Sequence, residues 1–287
     1  MRLLIRSVAL AGFTVLLVCP LSAAAQQQDP AAAPPPAQTT PAPSDRAVDP
    51  SQPDFTLIAL PTNLRMPRFA SAFRVTHRFT RSLATGDFVD LLGDAFGVDG
   101  GAQVGLEYRF GIMAGTQIGI HRTSDKDIQL FLQHQILRQA TGHPLTIDLL
   151  GSIEGADNFK ESYAPAIGAV ISRAFGSHGA VYLQPVWINN TNPGQSDFVD
   201  DNDSFLFGVG ARVRVRPSLY LVAEAAPRTG YAPGETYVSF AVEGRAGGHS
   251  FQVNFSNGFG TTLRQVARGG LDYENWYLGF NISRKFF

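Results

Sequence analysis

The sequence predicts an all-β fold: a transmembrane, antiparallel, up-and-down β-barrel of about twelve strands. Three observations carry that prediction. Strand-length runs alternate apolar and polar residues, the connections between them alternate short and long, and the apolar rows contain no Asp or Glu. The run 69–79 shows the pattern. Phe69, Phe73, Val75, His77 and Phe79 fall on one side; Arg74, Thr76 and Arg78 fall on the other. In a soluble sandwich the apolar side would be the core. In a membrane barrel it meets lipid and the arginines face a wet interior.

The elements follow in chain order. Residues 1–25 read as a secretory signal: Arg2 and Arg6 begin it, 7–18 form an apolar core, and Ala23, Ala24 and Ala25 precede Gln26 as a small-residue cleavage site. The apolar run is shorter than the roughly 20 residues a spanning helix needs. Cys19 is the single cysteine, so the chain beyond residue 25 must be stabilised by pairing and packing rather than disulfides. Residues 26–53 are rich in Pro, Ala and Gln and carry too little apolar surface to fold alone. They read as a disordered periplasmic tether, either passive or reaching toward a periplasmic partner. Residues 54–287 form the barrel domain, and whether 54–67 enter the barrel or stay periplasmic is open.

Strand patterns cover 68–80, 102–110, 114–122, 128–137, 145–154, 163–174, 180–189, 204–215, 219–228, 236–244, 249–257 and 276–286. Each is near the roughly 9–11 residues of a tilted membrane strand. Short helical patterns at 87–97 and 261–270 lie between strands. Connections after the even strands are short and rich in Gly, Pro and Ser; those at 81–101, 189–202 and 257–275 are long. An even strand number brings both chain ends to the side of the short turns. Rows such as Leu130, Leu132 and Ile136, or Phe205, Phe207 and Val209, face lipid, with aromatic residues at both ends. In the last strand Trp276, Leu278, Phe280, Ile282 and Phe286 share the lipid row, which leaves Phe287 one position out of register. This terminal pattern fits the signal that outer-membrane assembly machinery reads.

The stretches 60–79, 247–260 and 278–287 resemble an uncharacterised, domain-of-unknown-function family of bacterial outer-membrane β-barrel proteins. The resemblance runs from about residue 58 to the end. It implies a barrel in the outer membrane of a Gram-negative bacterium, in contact with lipid and lipopolysaccharide. It brings no substrate or catalytic residue.

Function must therefore come from the inner rows. Arg68, Arg74, Arg78, Arg109, Arg212, Arg214, Arg216 and Lys285 point inward by parity, against Glu107, Asp148, Glu154, Glu224 and Glu243. Arg212 and Glu224 come within diagonal reach across a hairpin and are expected to pair. The basic excess predicts a small pore or transport channel that favours small anionic solutes. A non-conducting structural or anchoring barrel, with those charges paired, and a lipid-modifying barrel enzyme are the alternatives. The expectation is that the chain is not an enzyme: no two histidines cluster, and none has an evident Ser and carboxylate beside it. No cofactor is expected. There is no metal-ligand spacing, and the acidic loop 197–203 lacks the glycine and distal Glu of a calcium loop. The glycine-rich stretch 97–105 follows no buried strand, so it is not a phosphate loop. Without a basic run, nucleic acid is not a partner.

Overall fold

The structure, a computed structural model, describes residues 47–93, 101–192, 202–232 and 234–287. The expected signal, most of the tether, residues 97–100 of the stretch 97–105 and most of the stretch 197–203 lie outside the described residues.

Alternation of side chains drives the described chain into β1 (Ser71–Ser82), β2 (Ala102–Met113), β3 (Thr116–Thr123), β4 (Ile128–Leu137), β5 (Thr146–Gly155) and β6 (Glu161–Ala174). It continues with β7 (Gly179–Ile188), β8 (Ser204–Arg216), β9 (Leu219–Ala226), β10 (Arg228–Gly230), β11 (Tyr237–Ala246), β12 (His249–Ser256) and β13 (Tyr277–Phe286). All twelve expected strands are present, with ends within three residues of those read from the sequence. β10 is a short continuation of β9 beyond Pro227 and pairs with the start of β8 through Arg228 and Leu206. Proline supplies no ladder N–H, which explains the break.

Every long strand pairs antiparallel with its chain neighbour, and β1 pairs with β13 through Val75 and Ile282. The sheet is therefore a closed meander of twelve long strands with no free edge. Two ends can be told apart. At the near end the chain enters β1 and leaves β13; at the far end lie the longer connections, including the helices Phe88–Gly93 and Leu263–Ala267.

The faces are as the alternation requires. Leu106, Leu130, Leu132, Val209, Val213 and Val253 are exposed on the outside of the wall. Arg74, Arg78, Glu107, Arg212 and Glu243 are buried inside it. This arrangement inverts a soluble protein, and only a hydrocarbon surround makes it favourable. At the C-terminus Phe286 lies on the outward row, whereas Phe287 turns toward the ring of Phe55, 6.3 Å away.

Candidate functional site

The lumen is not empty. Residues 51–64 and Met66 are buried, although they belong to no strand of the wall. This segment, hereafter the plug, enters from the near end, reverses, and returns to β1. Its reversal is a small hairpin: Thr56 bridges Pro61, Leu57 N–H donates to Leu60 O at 2.8 Å, and Thr62 N–H donates to Phe55 O at 2.9 Å.

A hairpin so short leaves most of its backbone groups unpaired, and inside a barrel each one costs free energy unless the wall supplies a partner. The wall does so group by group. Glu224 accepts the N–H groups of Ile58, Ala59 and Leu60 at 3.0, 2.8 and 3.1 Å, and the Ser239 hydroxyl at 3.0 Å. The carbonyls are met by side-chain donors. Arg212 donates to Thr56 O, Gln252 to Leu57 O, Asn281 and Arg74 to Ile58 O, Gln184 to Pro61 O and Gln133 to Thr62 O. Asp54, at the plug's near end, accepts Ser283 Oγ at 2.5 Å and lies 3.5 Å from Lys285 Nζ.

Apolar packing completes the fit. Leu57, Ile58 and Leu60 belong to one buried cluster with Val170, Tyr182, Val186, Leu206, Tyr220 and Val222 of β6–β9. Two inward glycines make the room. A Cβ at Gly210 would fall on Leu57 Cδ1, and one at Gly208 would lie 2.9 Å from Leu60 Cδ1.

The buried wall charges are largely compensated. Glu107 is gripped by Arg74, at 2.5 Å, and by Arg109. Arg212 pairs with Glu243 at 2.9 Å rather than with Glu224, so the expected Arg212–Glu224 pair is corrected. The register explains it: Glu224 stands opposite Gly210, where the plug amides claim its carboxylate, and Arg212 stands opposite Val222.

Of the residues expected to line the lumen, Arg74, Arg78, Glu107, Arg109, Asp148, Glu154, Arg212, Glu224, Glu243 and Lys285 are buried within it. Arg68 and Arg216 are exposed and Arg214 is half-buried. Parity fails for Arg68 because Phe69 has a φ of 59°, which turns the chain before alternation begins, and the guanidinium lies 4.4 Å over the Phe69 ring. It fails for Arg216 because the ladder shifts register between Arg214 and Arg216; Arg214 donates to Pro217 O in the turn. The basic excess expected of the lumen is thus not inside it: the buried strand side chains comprise five basic groups and five acidic ones.

The far end is closed too. The helix Leu263–Ala267 lies buried in the mouth, and Leu263, Val266 and Ala267 join the cluster that holds the plug tip. The Thr262 side chain caps the helix by accepting from Gln265 N, while Gln265 Oε1 accepts from Thr261 N. Arg264 donates to Asn190 O and Ser162 Oγ, and Gln265 Nε2 to Asp127 Oδ2. Beside Asp127 in the same far-end turn, burial and the neighbouring carboxylate push the Asp125 carboxyl up from its ordinary value.

One hydroxyl–imidazole contact bears on catalysis. Thr116 Oγ1 lies 2.7 Å from His134 Nδ1 across the β3–β4 ladder. The observed contact joins two groups and includes no carboxylate to orient the imidazole, as nucleophilic catalysis needs.

The sequence showed which side chains point inward. It left open whether 54–67 enter the barrel, because these residues have neither a strand's alternation nor a helix's period. The available signal was the run of amide side chains on inner rows, Gln133, Gln184, Gln252 and Asn281, which are donors suited to carbonyls.

A family model described as "Membrane bound beta barrel domain", an uncharacterised domain, matches residues 55–286. The chain belongs to this family of membrane-bound β-barrels. No curated protein matches it. Among solved structures, the NanC porin is similar at 7% identity and TM-score 0.48, over 76% of this chain and 99% of that one. Outer membrane phospholipase A from Escherichia coli is similar at 9% identity and TM-score 0.39, over 76% and 90%. OccK11 of Pseudomonas aeruginosa is similar at 11% and 0.35, over 64% and 58%. None of these likenesses is close enough to pass a function to the chain.

Proposed function

We propose that this membrane-bound barrel is an outer-membrane channel held shut by its own N-terminal segment, and that passage requires the plug to move. The observation that carries the reading is the hold of Glu224 on three successive plug amides. That one carboxylate gathers all three amide contacts at the tip, so its loss weakens the hold on the turn at a single point. The surround this wall needs supports a lipid and lipopolysaccharide environment, and the outward row ending at Phe286 supports recognition by assembly machinery.

Selectivity for small anions rests on the near rim. Arg68, Arg214 and Arg216 place positive charge there, while the buried wall is balanced. Neutralising the three together shifts the reversal potential of an opened channel toward cations.

The test is a planar-bilayer recording of the purified protein and of Glu224→Ala. A water-soluble maleimide applied to a Leu57→Cys variant reports plug position. The wild type is expected to be silent, with Leu57→Cys protected; Glu224→Ala is expected to show discrete openings, with the introduced thiol labelled. If Glu224→Ala labels but stays silent, the channel reading is wrong.

The second reading, a permanently closed anchoring barrel, is favoured by the near-complete matching of plug carbonyls to wall donors. No catalytic role is assigned to the Thr116–His134 contact.

A further inference from the structure

Arg214, Arg216 and Arg245 meet at the near mouth, around the turn of Pro217 and Ser218 that joins β8 to β9. The ladders fix their places. On one side of β9, Arg214 stands opposite Tyr220 and Arg216 opposite Leu219. On its other side, Gly244 of β11 stands opposite Leu219, and the next residue, Arg245, donates its N–H to Ser218 O at 2.8 Å. β8 and β11 are thus two strand spacings apart, roughly 10 Å, and long side chains from both can close on one small group. The turn between β6 and β7 walls a third side, where Arg214 N–H donates to His178 O at 2.7 Å.

No negative charge answers these arginines. Residues 175–178, 213–220 and 244–250 contain no Asp or Glu. Glu243, the carboxylate that precedes Arg245 on the inward row, is taken by Arg212 at 2.9 Å and by Gln252 at 3.2 Å. Arg214 donates one side-chain bond, to the uncharged Pro217 O. Arg214 Nε and Arg245 Nε are buried with no acceptor at all. A buried donor on a charged group is costly when unpaired, and an acceptor arriving from outside removes that cost.

The geometry points to a phosphate-binding site held by Arg214, Arg216 and Arg245. A carboxylate presents two oxygens in one plane, which suits a single guanidinium fork. A phosphate monoester presents three acceptor oxygens in different directions and about two negative charges, so it can accept from both sides of β9 at once. The phosphate belongs either to a phospholipid headgroup or to a soluble phosphate ester. The outer wall at the same strand ends exposes Val213, Val215 and Leu221, the surface along which acyl chains lie, and this favours the lipid. The site stands whether or not the plug moves. Arg214 and Arg216 also carry the selectivity proposed for the channel, so a bound phosphate lowers the anion preference of an opened barrel.

The experiment is calorimetric titration of the purified full-length barrel, in neutral detergent, with glycerol phosphate, dihexanoyl-phosphatidic acid and dihexanoyl-phosphatidylcholine. Saturable binding of phosphatidic acid is expected, with phosphatidylcholine weaker by about tenfold or more. Phosphatidic acid tighter than glycerol phosphate identifies a lipid as the source; equal affinities identify a soluble ester, and both results keep the site. Arg216→Gln and Arg245→Gln should each weaken phosphatidic acid about tenfold. Arg216 is exposed, so its replacement leaves the wall intact. Arg284→Gln, which removes a charge from the same rim on β13, should leave the affinity unchanged. No saturable heat with either phosphate monoester overturns the site, as does an equal loss in Arg284→Gln, which would make the binding one of overall charge. The two readings fail differently: phosphate binding with a silent Glu224→Ala barrel removes the channel and leaves the site, whereas openings without phosphate binding remove the site and leave the channel.

Discussion

The two arcs of the inner wall hold the plug by different physics. From β11 through β13 to β4 the inward rows are polar: Arg74, Glu107, Gln133, Gln252 and Asn281 meet the plug backbone or one another. From β6 to β9 they are mostly apolar: Val170, Tyr182, Val186, Leu206, Tyr220 and Val222 pack against Leu57, Ile58 and Leu60. Gln184, Arg212 and Glu224 interrupt the apolar arc, and each contacts plug backbone. The difference teaches that the polar arc sets where the hairpin sits, because hydrogen bonds have direction, whereas the apolar arc supplies the area that keeps it there. A lumen evolved only to conduct water and ions has no use for a half-apolar lining.

Four substitutions test that division, from the largest effect to the smallest. Arg212→Ala leaves Glu243 buried without its ion-pair partner and strips the donor from Thr56 O. Its expected cost is about 3–5 kcal/mol in urea unfolding of the folded barrel. Leu57→Ala empties part of the apolar cluster and should cost about 2–4 kcal/mol while leaving the plug seated, so maleimide labelling of a nearby introduced thiol stays slow. Gly210→Val drives a side chain into the place of Leu57, with about 1–3 kcal/mol of overpacking and a partly displaced plug. An inward position is thus not tolerant merely because it faces the lumen. Gln252→Leu removes one donor to Leu57 O from the polar arc and should cost about 1 kcal/mol, read in the same unfolding assay. If Gln252→Leu proves costlier than Leu57→Ala, the division between the arcs is reversed.

The sequence by itself determined the strands, the closure and the two faces. Alternation is a local property of the chain, and Leu130, Val209 and Val253 can face only lipid once Gln133, Arg212 and Gln252 face inward. It also placed ten of the lumen residues, and it misplaced Arg68 and Arg216 where a left-handed residue and a register shift broke the alternation. Tertiary structure alone decided what the lumen holds. Residues 51–66 have no periodic pattern because their backbone bonds go to wall side chains distant in the chain, by 165 positions between Ala59 and Glu224. The same distance hid the partner of Arg212: parity tells that a guanidinium points inward, but only the closed barrel brings Glu243 and Thr56 to it and gives Glu224 to the plug.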